Sequence, residues 1–253
     1  MIVDEAKRPI VVLHIPKTAG TSLRKLIQKN YSAKELFFVY GEESEFTTIE
    51  DLQNLSPEQK TGIKVFMGHL PYNPNLFPGM QPRYITLVRD PIERVISYYH
   101  HIMNKNKAWK DRNVSLLKYL SVSNDLQLNN HQTRVISGLH ELPVSEKHFD
   151  AAIKNIENHF DFVGISEKFE ESMVKLSGLF SWNFKKVNRV NVSIGKPQQD
   201  YFSDQEIQAI ERLNKFDLAL HDYINSQPDS ILLGKNFSKL INNNPDKNFQ
   251  YEQ

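Results

Sequence analysis

Short apolar runs punctuate this chain at 10–15 (IVVLHI), 36–40 (LFFVY), 63–67 (IKVFM), 83–89 (RYITLVR) and 161–165 (DFVGI). Stretches of this length, rich in β-branched and aromatic residues, predict strands buried on both faces. Elsewhere apolar residues recur every three or four positions, which predicts helices over 21–30, 91–104, 114–121, 125–138, 146–158, 167–180 and 204–225. In the last of these, Ile207, Ile210, Leu213, Phe216, Leu220 and Ile224 keep to one face, as in a helix packed on a core. Ser56-Pro57-Glu58-Gln59 and Ser203-Asp204-Gln205-Glu206 carry capping-box spacing, a helix-start signal. Strands alternating with helices predict an α/β fold, a parallel β-sheet flanked by helices on both faces, with extra helices C-terminal. Beyond about Gly234 the sequence turns polar and asparagine-rich. One domain over 1–233 and a loosely held tail over 234–253 are therefore expected.

Composition narrows the function classes. A chain of 253 residues, 40% of them hydrophobic, can bury one sizeable core. Its formal net charge of +1 is no footprint for a nucleic-acid binder. The absence of cysteine excludes disulfides and thiol chemistry. No HExxH or paired-cysteine spacing occurs, and His100 and His101, adjacent on a helix, do not make a chelating pair, so no metal is expected. Residues 1–9 are polar and run straight into the first strand, so neither a signal peptide nor a membrane anchor is expected.

The first strand breaks into Pro16-Lys17-Thr18-Ala19-Gly20-Thr21-Ser22. Pro16 ends the ladder, Gly20 permits a turn other residues resist, and Thr21 and Ser22 open a helix whose free amides face the loop. A helix start of this kind is an anion site, to which Lys17 adds a mobile charge and Thr18, Thr21 and Ser22 add hydroxyls. The sheet so predicted is P-loop-like, although Lys17 precedes the glycine and so departs from G-x-x-x-x-G-K-[ST]. An ordinary strand-loop-helix connection with a surface lysine fits the same residues.

The strand over 83–89 ends at Arg89, and Asp90-Pro91-Ile92-Glu93 reads as a helix start with Asp90 as N-cap and Glu93 completing a capping-box-like spacing. Arg89 and Ser97, two turns in, can converge on one anion; alternatively Arg89 pairs with Asp90 or Glu93. His69 follows the strand over 63–67 and sits where ligands collect, at strand carboxyl ends. It is a candidate base, or a histidine merely bonded at a strand end. His131, in the polar stretch NNHQTRVISG, reads as a helix cap in preference to a lining of an acceptor site. Lys105, Lys107, Lys110 and Arg112 around Trp109 make either a solvated loop or a surface for an anionic or sugar acceptor.

PKTAGTS (16–22) followed by VRDPIERVISYYH (88–100) resembles the sulfotransferases that use 3′-phosphoadenosine 5′-phosphosulfate (PAPS), most closely the heparan sulfate 2-O-sulfotransferase-like family. Weaker similarity runs through 160–180 and 211–224. The resemblance implies that Lys17, Thr18, Ala19, Gly20, Thr21 and Ser22 grip the 5′-phosphosulfate and that Arg89 and Ser97 hold the 3′-phosphate. It implies that Arg189 lies in a loop closing over the nucleotide, where a solvated loop is the plain alternative. His69, preceded by Gly68, matches the family's catalytic base, and Lys17 would neutralise the leaving phosphate. Met67 stands where those enzymes carry a further histidine.

The activity so implied is sulfuryl transfer from PAPS to an acceptor hydroxyl, on a carbohydrate or else on a small alcohol or phenol, leaving 3′,5′-ADP. A soluble, bacterial cytoplasmic enzyme is expected, in contrast to Golgi-anchored animal relatives. A P-loop nucleotide kinase or a non-catalytic nucleotide-binding module remains the rival class.

Overall fold

The computed structural model describes residues 8–40, 48–106, 110–183, 202–227 and 232–233. One six-stranded sheet runs in the order β2-β3-β1-β4-β5-β6. Its strands are β1 (Ile10–Leu13), β2 (Leu36–Val39), β3 (Val65–Gly68), β4 (Arg83–Val88), β5 (Phe160–Ile165) and β6 (Leu232–Leu233). The first five are mutually parallel, as their apolar runs predict, while β6 pairs antiparallel to β5 and was not anticipated. Because β1 lies between β3 and β4, successive crossovers leave it in opposite directions. In an open α/β sheet a ligand crevice forms there, outside the strand carboxyl ends.

The pleat sorts the core into two layers. Val11, Leu13, Phe66 and Val163 face one side, where they join Ala152 and Ile156 of one helix and Leu220 and Ile224 of another. Val12, Met67, Ile85 and Phe162 face the other side, against Leu23, Leu26, Ile27, Met173 and Leu176. Helices on both faces follow directly from strands buried on both faces. The flanking helices are α1 (Gly20–Asn30), α2 (Ile49–Asn54), α3 (Pro57–Thr61), α4 (Pro91–Lys105), α5 (Leu116–Val122) and α6 (His131–Ser137). They continue with α7 (Glu146–His159), α8 (Phe169–Phe180), α9 (Asp204–Leu213) and α10 (Lys215–Ser226).

Two predicted helices prove to be broken, each at a buried asparagine. The stretch over 204–225 divides at Asn214, whose amide donates to the carbonyls of Leu128 (2.9 Å) and Ile210 (3.0 Å). The stretch over 125–138 keeps only α6, because Asn130 turns left-handed and its side-chain oxygen accepts from the amides of Phe216 (2.8 Å) and Asp217 (3.1 Å). The apolar period runs on through Asn214, so periodicity alone could not reveal that break, whereas 129–134 (NNHQTR) holds no apolar residue and marks the other. Helix α2 was missed; its signal is a Thr48–Asp51 capping box. Both predicted capping boxes close, at Ser56–Gln59 and Ser203–Glu206. The proposed tail over 234–253 lies outside the described residues.

Candidate active site

The turn after β1 is shaped by residues other than the expected one. Lys17 (φ 73°) and Ala19 (φ 67°) are left-handed, each at a cost on the order of 1–2 kcal/mol for a side chain with a Cβ. Gly20 is not left-handed and is needed for space instead: a Cβ there would stand 1.9 Å from Cδ2 and Nε2 of His14. Helix α1 starts with no side-chain cap and no acidic residue in its first turn, so the helix itself sets no carboxylate against its positive end. The Thr18 hydroxyl donates to the Ile15 carbonyl (2.7 Å), which ties the loop to itself rather than offering that proton to a ligand. Thr21 is half-buried and Ser22 buried at the helix start.

Asp90 caps α4 as expected, its carboxylate accepting from the Glu93 amide (2.9 Å) with Pro91 at the first helical position. Glu93 does not close the box. Its carboxylate takes the Arg89 Nη2 donor instead (3.0 Å), and Arg89 Nε lies 3.8 Å from Glu167. Arg89 also reaches across to the loop after β1, where its Nη1 donates to the Lys17 carbonyl (3.2 Å). The two motifs, more than sixty residues apart in sequence, therefore meet through one guanidinium.

The Arg89 backbone is held just as firmly. Its amide donates to Gln132 Oε1 (2.9 Å) and its carbonyl accepts from Gln132 Nε2 (2.8 Å). Burial pushes the Glu167 carboxyl up, but hydrogen bonds from His221, its own backbone and the Asp90 amide outweigh this and hold it below the ordinary range. An ionised Glu167 thus faces Arg89. Ser97 lies on the buried face of α4.

His69 belongs to a row of three. Leu13, Gly68 and Val39 share one register level across β1, β3 and β2, so the next residues, His14, His69 and Tyr40, emerge side by side on the α1 face. The His69 ring centroid is 5.2 Å from that of His14 and 5.0 Å from that of Tyr40. His14 Nδ1 hydrogen-bonds the Tyr40 hydroxyl at 2.9 Å. Loss of water around the rings lowers the pKa of His69, and lowers that of His14 to about 3 with help from His69, Arg24 and Lys17. Burial raises the Tyr40 phenol well above its ordinary value, so it stays protonated. Met67 sits one pleat step below His69 on the same face and is fully buried, a core position in this chain.

His131 is the first residue of α6, not its cap. The α6 amides of Gln132 and Thr133 are satisfied by the buried Asp217 carboxylate (3.1 and 2.7 Å). His131 Nδ1 accepts from Arg134 (3.2 Å), which places its proton on Nε2. Desolvation and the charges of Arg94, Arg134 and His69 hold its pKa well below that of ordinary imidazole. Arg189, Lys107 and Trp109 lie outside the described residues.

Residues 1–224 match the family model described as the sulfotransferase family. The chain belongs to that family. Among solved structures, the crystal structure of mouse sulfotransferase SULT7A1 complexed with PAP is similar at 16% identity and a TM-score of 0.38. The match covers 85% of this chain and 66% of the mouse one. No curated protein sequence matches. The sequence singles out the segments 16–22 and 88–100 of this sulfotransferase and His69 as candidates. It misses His14, Tyr40, Gln132 and Glu167. The signal for the first two was available, since Tyr40 ends a predicted strand and His14 is the one polar side chain within the predicted strand over 10–15.

Proposed function

We propose that this sulfotransferase moves the sulfuryl group of PAPS to an acceptor hydroxyl, on a carbohydrate, with His69 as base. The Arg89–Lys17 hydrogen bond carries the reading, because it joins the arginine proposed for the 3′-phosphate to the loop proposed for the 5′-phosphosulfate. PAPS fits such a crevice through its two phosphate-bearing ends. Arg89 with Ser97 would hold the 3′-phosphate, exchanging carboxylate partners for phosphate oxygens. Lys17 and the amides of Gly20, Thr21 and Ser22 would hold the 5′ end, where negative charge grows as the sulfuryl group departs. His69, neutral and open to solvent at the β3 end, would take the proton of the acceptor hydroxyl.

Among the described residues no helix is long and apolar enough to cross a membrane, and no group of three or more acidic, His or Cys side chains could hold a metal. The cytoplasm is the proposed location. Thermal shift tests the cofactor class: 3′,5′-ADP should raise the melting temperature where equal concentrations of 5′-AMP and ATP do not. Equal stabilisation by all three would overturn the reading. Radiolabelled transfer from PAPS to a panel of sugars, alcohols and phenols tests the acceptor, and labelling of phenols alone would remove the carbohydrate.

A further inference from the structure

We infer that His14 is a second catalytic residue, a neutral hydrogen-bond donor whose Nε2–H binds the sulfonate group during its passage from the Lys17 loop to His69. The inference rests on the PAPS reading above and adds a contact to the group being transferred.

Position carries the argument. His14 is the first residue past β1, and its own amide still donates to the Gly68 carbonyl (2.8 Å), so the ring is fixed by the sheet rather than by a loop. One neighbour is the His69 ring, 5.2 Å away centroid to centroid. On the α1 side, Cδ2 and Nε2 crowd the place where a Gly20 Cβ would project, so the Nε2 edge lies against the uncapped start of the anion-binding helix. The charge of Lys17 also reaches the ring. His14 therefore stands between the group that receives the proton and the loop that holds the leaving phosphate, which is the path of the transferred group.

Its donor state follows from the groups behind it. Arg24, one turn into α1, has its guanidinium 5.3 Å from the Tyr40 ring centroid and hydrogen-bonds the phenol. An arginine only donates, so the phenol oxygen is the acceptor there, and we take the phenol's own proton to point at His14 Nδ1, 2.9 Å away. With Nδ1 accepting, the imidazole proton resides on Nε2. The depressed pKa of His14 agrees, since a ring that resists a second proton is a poor base and a lasting neutral donor. Labour is then divided between two adjacent imidazoles. In the transfer step the acceptor oxygen bonds to sulfur as the bond from sulfur to the bridging phosphate oxygen breaks. The acceptor proton goes to His69, the electron pair leaves with 3′,5′-ADP, and His14 keeps its proton throughout.

The test needs no acceptor. PAPS carries the sulfonate and 3′,5′-ADP lacks it, so the ratio of their dissociation constants isolates the contact. His14→Leu should weaken PAPS binding about three- to tenfold, the range for one neutral hydrogen bond, and leave 3′,5′-ADP within about twofold. His14→Gln, with an amide donor in the place of Nε2–H, should recover most of the loss. Tyr40→Phe, which frees the tautomer, should fall between the wild type and His14→Leu.

Equal weakening of both ligands in His14→Leu and His14→Gln would overturn the inference and leave His14 a support for the loop. An unchanged PAPS affinity in His14→Leu would overturn it as well. If His14→Leu does not fold, the His14→Gln and Tyr40→Phe ratios decide alone: both must be shifted, with Tyr40→Phe the more. Failure of the PAPS reading looks different, since the wild type itself would then show no preference for 3′,5′-ADP over 5′-AMP.

Discussion

At the residue scale, the proposed duties of two side chains are separable. His69 is depressed below the 6.5 of ordinary imidazole by loss of surrounding water, so the neutral, proton-accepting form prevails at pH 7. The rate should fall only as pH drops below that value, and an acidic limb of kcat/KM centred above 6.5 would argue against His69 as the base. His69→Ala should lose about 10²–10⁴-fold in transfer while still binding 3′,5′-ADP. Arg89 bonds Glu93, lies near Glu167 and grips the Lys17 carbonyl, so it braces the crevice in addition to its proposed charge on a ligand. Arg89→Ala should weaken 3′,5′-ADP at least about tenfold by calorimetry, and Arg89→Lys should not restore it, because an ammonium lacks the planar fork. The two candidate anion segments, 16–22 and 88–100, were legible as residue types at fixed spacing. The use of Glu93 was not, because a carboxylate three residues past an N-cap can turn back to the cap or sideways to an arginine, and only the approach of β4 to β1 decides.

At the element scale, the site is a consequence of strand ends and helix starts. Parallel strands in one register present their following residues as a row, and this row is what made His14 and Tyr40 neighbours of His69. Sequence could place each residue at the end of a strand. It could not give the order β2-β3-β1, without which the three rings have no reason to meet. The same limit applied to Gly20, read as a turn residue when its absent side chain leaves room for His14. Gly20→Ala should therefore lose about 1–3 kcal/mol in a urea melt, despite the better helix propensity of alanine. Helix α6 gives a second case. Its N-terminal amides rest on the fully buried Asp217 of α10, which also accepts from the Thr133 hydroxyl (2.7 Å). Asn at 217 has one acceptor oxygen where three donors converge. Asp217→Asn should cost about 1–3 kcal/mol and, by loosening the Gln132 clamp on Arg89, lower 3′,5′-ADP affinity too.

At the scale of the whole molecule, strand-helix alternation was enough to read a parallel sheet covered on both faces, because each period reports burial directly. The buried asparagine bridges between α6, α9 and α10 were illegible, since their partners lie more than eighty residues apart. That packing has a consequence for pH. Desolvation lowers the pKa of His131, beside Arg94 and Arg134, as it does for His14 beside His69 and Arg24, and both rings are neutral in the fold. Once unfolded they protonate near 6.5, so below that pH the unfolded chain binds more protons than the folded one. Stability is then full above about pH 6.5 and is lost as pH falls through the range between the two states' pKa values. Each ring contributes a slope of up to about 1.4 kcal/mol per pH unit. Urea unfolding at pH 7.5 and 5.5 should show this loss. His131→Asn keeps an acceptor for Arg134 but cannot take up a proton, so its unfolding free energy should fall less steeply between the same two pH values. A slope equal to that of the wild type would mean that the acid sensitivity arises elsewhere than at the His131 ring.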